Sequence, residues 1–221
     1  AIQTSNSGAG GTSGVLVFSS GSSQGGNTGT VMLGSGTATN GRGGAVTIAV
    51  GSGTSGAGGV LSAIAGRSTT ATGGVVKLET GEGTATSSGM VVVRTSNSGV
   101  SGTSGSLVFS TGSSQEGNSG CVTIGSGAAS SGRGGAVVIT AGSGTSGAGG
   151  ELAMSSGRST DVTGGTVVVN TGEGTQTSSG ALYLQSANSG ATGTSGCLVF
   201  SSGSSNAGNS GMLSLGSGAA T

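Results

Sequence analysis

The sequence predicts an all-β chain: a single-stranded β-solenoid (β-helix) with 15-residue coils, one coil of 16 residues in every six, and a 91-residue superperiod. Three observations carry that expectation. A glycine opens an apolar run at a fixed step, apolar residues alternate two apart inside each run, and opposite charges recur one step apart.

The opening glycines are Gly14, Gly29, Gly44, Gly59, Gly74, Gly89, Gly105, Gly120, Gly135, Gly150, Gly165, Gly180, Gly196 and Gly211. The step is 15 residues throughout, except from Gly89 to Gly105 and from Gly180 to Gly196, where it is 16. Gly14, Gly105 and Gly196 are therefore 91 apart, and each opens a run ending in Leu-Val-Phe. A fixed period this short is the mark of a repeat architecture rather than of a globular enzyme. It divides the chain into the end of an incomplete repeat (1–13), superrepeats at 14–104 and 105–195, and the start of a third at 196–221. All are expected to form one continuous solenoid. Residues 1–13 align with 92–104, so the chain reads as an excerpt of a longer array.

Positions within a repeat are numbered here from the opening glycine, slot 1. Slot 3 is aliphatic in all fourteen repeats, from Leu16 and Val31 to Leu198 and Leu213. Slot 5 is apolar as well, as in Phe18, Leu33, Ile48, Phe109, Ile124 and Phe200. Apolar residues two apart, bounded by Gly and Ser, predict a short strand with one buried face. Slots 2 and 4, with their mixture of polar and apolar residues, predict the more exposed face. Slot 8 is Gly in twelve of the fourteen repeats, the exceptions being Ser96 and Ala187 of the long repeats. That recurrence predicts a corner with positive φ, or a backbone approach too close for a Cβ. The remaining slots are mostly Gly, Ser, Thr, Ala and Asn, suited to tight turns. In the long repeats the extra residue is expected in Ser96-Asn97-Ser98-Gly99 and Ala187-Asn188-Ser189-Gly190, as a bulged corner.

The charges mark a register. Arg67 and Glu82 are 15 apart in slot 9, as are Arg158 and Glu173, and Glu79 and Arg94 are 15 apart in slot 6. No like-charged pair has that spacing. In a 15-residue coil these residues would stack as ion pairs, and Phe18 would lie against Leu33. Each stacked pair is worth only about 0.2–1 kcal/mol, so it marks register more than it stabilises.

Composition narrows function by exclusion. The chain has 221 residues with 54 Gly, no Pro, no Trp, no His, 5% charged residues and zero net charge. Ser and Thr make up about a third of it, far above ordinary usage. Without a basic patch, nucleic acid is not an expected partner. The apolar runs are too short for membrane insertion. No acid–base pair suggests itself: Asp161 is the only Asp, and Glu79 and Glu82 lie beside basic residues. The chain is therefore expected not to be an enzyme, with no catalytic, cofactor-binding or metal-binding residues and no cofactor.

Two motifs fail on inspection. Gly21-Ser22-Ser23-Gln24-Gly25 spells a nucleophile elbow, but no His exists to activate Ser23. Gly51-Ser52-Gly53-Thr54-Ser55-Gly56 spells a dinucleotide-binding glycine pattern, but an apolar run follows it where a helix would be needed. Calcium-binding repeats of this general kind carry Asp in their turns, and this chain lacks it. Cys121 and Cys197 both fall in slot 2, five coils apart, about 24 Å in a stacked solenoid and too far for a disulfide. None of the nine Asn residues lies in an N-glycosylation sequon, whereas Ser and Thr offer abundant O-linked acceptors.

The runs GSGTSGAGG (51–59, 142–150), GRGGAV (41–46, 132–137) and TGEGT (80–84, 171–175) resemble long Gly/Ser/Thr-rich repeat proteins of β-solenoid type, predicted from microalgal and other protist genomes. The resemblance implies an extracellular or cell-surface setting and carries over no site residues. The expected function is structural: an extracellular fibril or cell-surface fibre, with copies of the chain itself as partner and O-linked glycans on Ser and Thr. The alternatives are a glycan- or ice-binding adhesin module and a viral or phage fibre shaft. Thr37 and Thr39 occupy slots 9 and 11 while Thr84 and Thr86 occupy 11 and 13, so no threonine ladder supports ice binding.

Overall fold

A computed structural model describes residues 1–218. It overturns the expected architecture: the chain is not a β-solenoid. Among the described residues there is no helix and no strand, and the backbone is mostly coil, interrupted at regular intervals by bends and turns. The chain divides into two bodies, Ala1–Phe109 and Ser110–Thr221, and the same local pattern runs through each.

That pattern follows the predicted period. Bends occupy slots 11–13, at residues 24–26, 39–41, 54–56, 69–71 and 84–86 of the first body and 115–117, 130–132, 145–147, 160–162, 175–177 and 206–208 of the second. Around each bend, the loop formed by slots 8–15 folds back on itself. The opening glycine of one repeat meets slot 7 or slot 8 of the repeat before it. A Cβ built on Gly44 would lie 3.1 Å from the Cβ of Ser35, and one on Gly89 would lie 3.1 Å from the Cβ of Thr80. At Gly59 it would run into the Val50 side chain. This close approach gives the opening glycine its purpose: the loop closes only where slot 1 has no side chain.

The closure is made by hydrogen bonds that stay within one loop. The Gly59 amide donates to the Gly51 carbonyl (3.1 Å), Gly74 to Gly66 (2.8 Å) and Gly89 to Gly81 (3.1 Å). One superrepeat later, Gly150 donates to Gly142 (2.8 Å), Gly165 to Gly157 (2.9 Å) and Gly180 to Gly172 (3.0 Å). These are slot 1 amides on slot 8 carbonyls. In a solenoid the same groups would bond along the stacking axis, from coil to coil. Here they are satisfied locally, across a loop of about nine residues whose closure entropy is modest. At these six loops the slot 1 amide and the slot 8 carbonyl are thereby withdrawn from any coil-to-coil ladder.

Burial shows the consequence. None of the described residues is buried. The accessible surface is 21411 Å², where a compact monomer of this mass would show about 8,700 Å² and its unfolded chain about 29,000 Å². Phe18 and Leu33 remain 66% and 81% exposed instead of covering each other. The predicted inner face survives only as a gradient: slot 3 side chains are 49–64% exposed, whereas the large apolar residues of slot 2 are 82–86% exposed.

Positive φ at slot 8 is found at Gly21 (84°) and Gly36 (77°) and at no other described glycine. In six repeats (Gly51, Gly66, Gly81, Gly142, Gly157 and Gly172) the slot 8 glycine is instead the acceptor end of the closure. The long repeats differ from their expectation too. Their extra residue lies one step further on, in hydrogen-bonded turns where Gly102 donates to Gly99 (3.3 Å) and Gly193 to Gly190 (3.4 Å). Gly11 and Gly8 form the same turn near the start of the chain (3.2 Å). The added residue thus turns a bend into a β-turn, and Gly105 still meets Thr95 across the closed loop.

Candidate functional site

Serine shapes seven of the loops, and it does so from two slots. At slot 10, Ser23 Oγ accepts the Gly26 amide (3.0 Å), Ser68 the Ala71 amide (2.9 Å), Ser114 the Gly117 amide (3.0 Å), Ser159 the Val162 amide (3.0 Å) and Ser205 the Gly208 amide (3.0 Å). A side-chain oxygen bonding the backbone three residues on fixes the bend as a capping hydroxyl does. At slot 7, Ser35 Oγ donates to the Gly44 carbonyl and Ser126 Oγ to the Gly135 carbonyl, both at 2.7 Å. These two repeats carry Ala38 and Ala129 at slot 10, so the slot 7 hydroxyl holds the loop where slot 10 has no oxygen.

A third loop type has glycine at slot 10. A Cβ on Gly53 would lie 2.6 Å from the Gly56 carbonyl oxygen, and one on Gly144 would lie 2.6 Å from that of Gly147. Gly83 and Gly174 are pressed in the same way against the carbonyls of Ser87 and Ser178. The apparent dinucleotide pattern at 51–56 is explained by this inward fold. Gly53 must be glycine because carbonyl oxygens occupy the space beside it, and no helix N-terminus follows to receive a phosphate. The apparent nucleophile elbow resolves likewise, since Ser23 Oγ is engaged by the Gly26 amide within a bend.

Slot 10 was legible in retrospect. Ser23, Ser114 and Ser205 are 91 apart, as are Ala38 and Ala129, Gly53 and Gly144, Ser68 and Ser159, Gly83 and Gly174, and Ser98 and Ser189. Such strict recurrence at a small residue signals a conformational role.

The charged residues stay apart. Among the described residues the one ion pair joins Lys77 and Glu79, two residues apart on the same side of an extended run, and both are well exposed. Arg67 and Glu82 do not pair, nor do Arg158 and Glu173, nor Glu79 and Arg94; the stacked ion pairs expected from the 15-residue spacing are absent. Cys121 and Cys197 are free and exposed. Among the described residues no three potential metal ligands gather, no cavity is enclosed, and no helix is long and apolar enough to cross a membrane. The chemistry on offer is thus hydroxyl groups, exposed aliphatic side chains and a sparse set of charges, all distributed along the chain.

No protein-family model, curated protein or solved structure matches this chain.

Proposed function

We propose that the chain is a structural protein that works as an assembly of copies of itself, forming an extracellular or cell-surface fibre with O-linked sugar on its Ser and Thr residues. The observation that supports this reading is the regular exposure of apolar slots 3 and 5 on the runs between individually closed loops. A single copy leaves these side chains wet. Fully covering one contributes about 1.5–3 kcal/mol. Association costs an estimated 4–15 kcal/mol, so covering the two apolar slots of a few repeats offsets it. Zero net charge removes the repulsion that keeps charged chains apart. Hydroxyl groups on the bends would keep the outside of such an assembly wettable and give sugars a place to attach. Catalysis has no part in this reading.

The test is concentration. Purified chain, followed by sedimentation and electron microscopy, should pass from dispersed copies to thin unbranched filaments as concentration rises. Binding of an apolar fluorescent dye should fall in parallel. Mass mapping of native material should find hexose-type adducts on Ser and Thr in and around the bends. Chains that remain dispersed at millimolar concentration would reject the structural reading.

A further inference from the structure

The charge pattern has no use inside one copy. Arg67, Glu82, Arg158 and Glu173 all occupy slot 9, all are exposed, and none pairs within the chain. Yet each superrepeat sets an Arg in slot 9 of one repeat and a Glu in slot 9 of the next. We infer that neighbouring copies lie parallel and staggered by one repeat, so that the extended run of one repeat lies against the run of the following repeat in the next copy. The inference rests on the self-assembling reading above and adds the register.

The candidate registers can be compared directly. Parallel copies in zero register place every charge against its own copy: Arg67 meets Arg67 and Glu82 meets Glu82. A stagger of one superrepeat sets Arg67 beside Arg158, Glu82 beside Glu173 and Arg42 beside Arg133, all like-charged. A stagger of two repeats brings no charges together. One repeat of stagger places Arg67 beside Glu82 and Arg158 beside Glu173, and creates no like-charged pair. Glu79 and Arg94 meet in this register too, although Glu79 already has Lys77 as a neighbour. Staggers of five and seven repeats make one opposite pair each (Glu82 with Arg158, Arg67 with Glu173), against three for one repeat. Like charges held side by side between paired chains are destabilising and opposite ones weakly stabilising, so charge favours the one-repeat stagger while the apolar slots supply the attraction.

The apolar slots permit this stagger. Slot 3 is aliphatic in every repeat, so Leu16 meets Val31 as readily as Val31 meets Val46. The long repeats do not disturb it either. Their extra residue lies in the Gly99–Gly102 and Gly190–Gly193 turns, so a long repeat can face a short one with the runs on either side still in phase.

Cross-linking reads the register. One full-length chain carries Cys197→Ser and keeps Cys121. The other carries Cys121→Ser, Cys197→Ser and Ala136→Cys, the last at slot 2 of the repeat after that of Cys121. The two are mixed, assembled and oxidised. The one-repeat stagger predicts disulfides between the two kinds of chain and few within either kind, since paired neighbours bring Cα atoms within disulfide range. Links between like chains would show zero register and overturn the stagger while leaving self-assembly intact. Assembly with no links at these positions would overturn it also. Chains that never assemble would overturn both readings.

Charge variants give an independent check. Arg67→Glu with Glu173→Arg keeps composition and net charge but makes both slot 9 pairs like-charged across a one-repeat stagger. It should raise the concentration needed for assembly several-fold. Arg67→Glu with Glu82→Arg restores an opposite pair and should assemble like the parent chain. Equal behaviour of the two variants would contradict the stagger.

Discussion

At the scale of single residues, the loops are held by what glycine lacks and what serine supplies. Gly53 lies against the Gly56 carbonyl oxygen, whereas Gly56 itself has open space where a Cβ would go. Gly53→Ala should therefore open its loop, while Gly56→Ala should leave it closed. The separation of the Gly59 amide resonance from its open-loop position reports which has happened. Ser35 makes a different prediction. Its hydroxyl bond to Gly44 is exposed, and a bond of this kind contributes about 0.5–1.5 kcal/mol net. Ser35→Ala should raise the open population of that loop roughly two- to tenfold at this magnitude. The equivalent Ser126–Gly135 loop should be unaffected, because each closure lies within its own loop. An equal change at both loops would show that they are coupled.

At the scale of the repeat, the element is an extended run followed by a loop that closes on itself. The period and the small-residue character of the loops were legible in the sequence, because Gly and Ser recur there in fixed slots, but the bends fall at slots 11–13 and not at the expected slot 8 corner. The destination of the backbone hydrogen bonds was not legible. A slot 1 amide can bond the carbonyl of its own loop or that of a stacked coil, and the spacing of residues such as Gly59, Gly66 and Gly74 is the same in both cases. The 15-residue charge spacing is ambiguous for the same reason. It says that Arg67 and Glu82 occupy equivalent positions, and it leaves open whether equivalent positions meet within one chain or between two. The alternation of slots 2 to 5 predicted a buried side that the chain does not form: only slot 3 is consistently less exposed, while Leu33 and Leu78 of slot 5 are each 81% exposed. The alternation did not supply the surface that would cover such a side, because an opposing wall of Gly, Ser and Ala offers little area to bury against.

At the scale of the whole molecule, stability is distributed and local. Folded domains owe their cooperative transitions to a shared core, and no described residue is buried here. Dilute chain should therefore melt without a sharp transition, its circular dichroism changing gradually with temperature as loops open one by one. Assembled material should behave differently, because covering slots 3 and 5 ties many repeats together. A sharp, concentration-independent melting transition of dispersed single chains would contradict loop-by-loop closure. The candidate functional chemistry was legible to the extent that it is a matter of composition, with hydroxyl groups everywhere and no His. The serines that cap bends were hidden among the many that do not, since only their hydrogen bonds distinguish Ser23 or Ser68 from their neighbours.

Local closure is tested most directly by proton–proton contacts in isotopically labelled, dispersed chain. Closed loops predict a contact between the Gly59 α-protons and the Val50 methyl groups, and between the Gly29 α-protons and the Ser20 β-protons. A stacked coil would instead bring the Phe18 ring against the Leu33 methyl groups and the Arg67 side chain against Glu82. Observation of the glycine contacts without the Phe18–Leu33 contact is the predicted result; the reverse would contradict it.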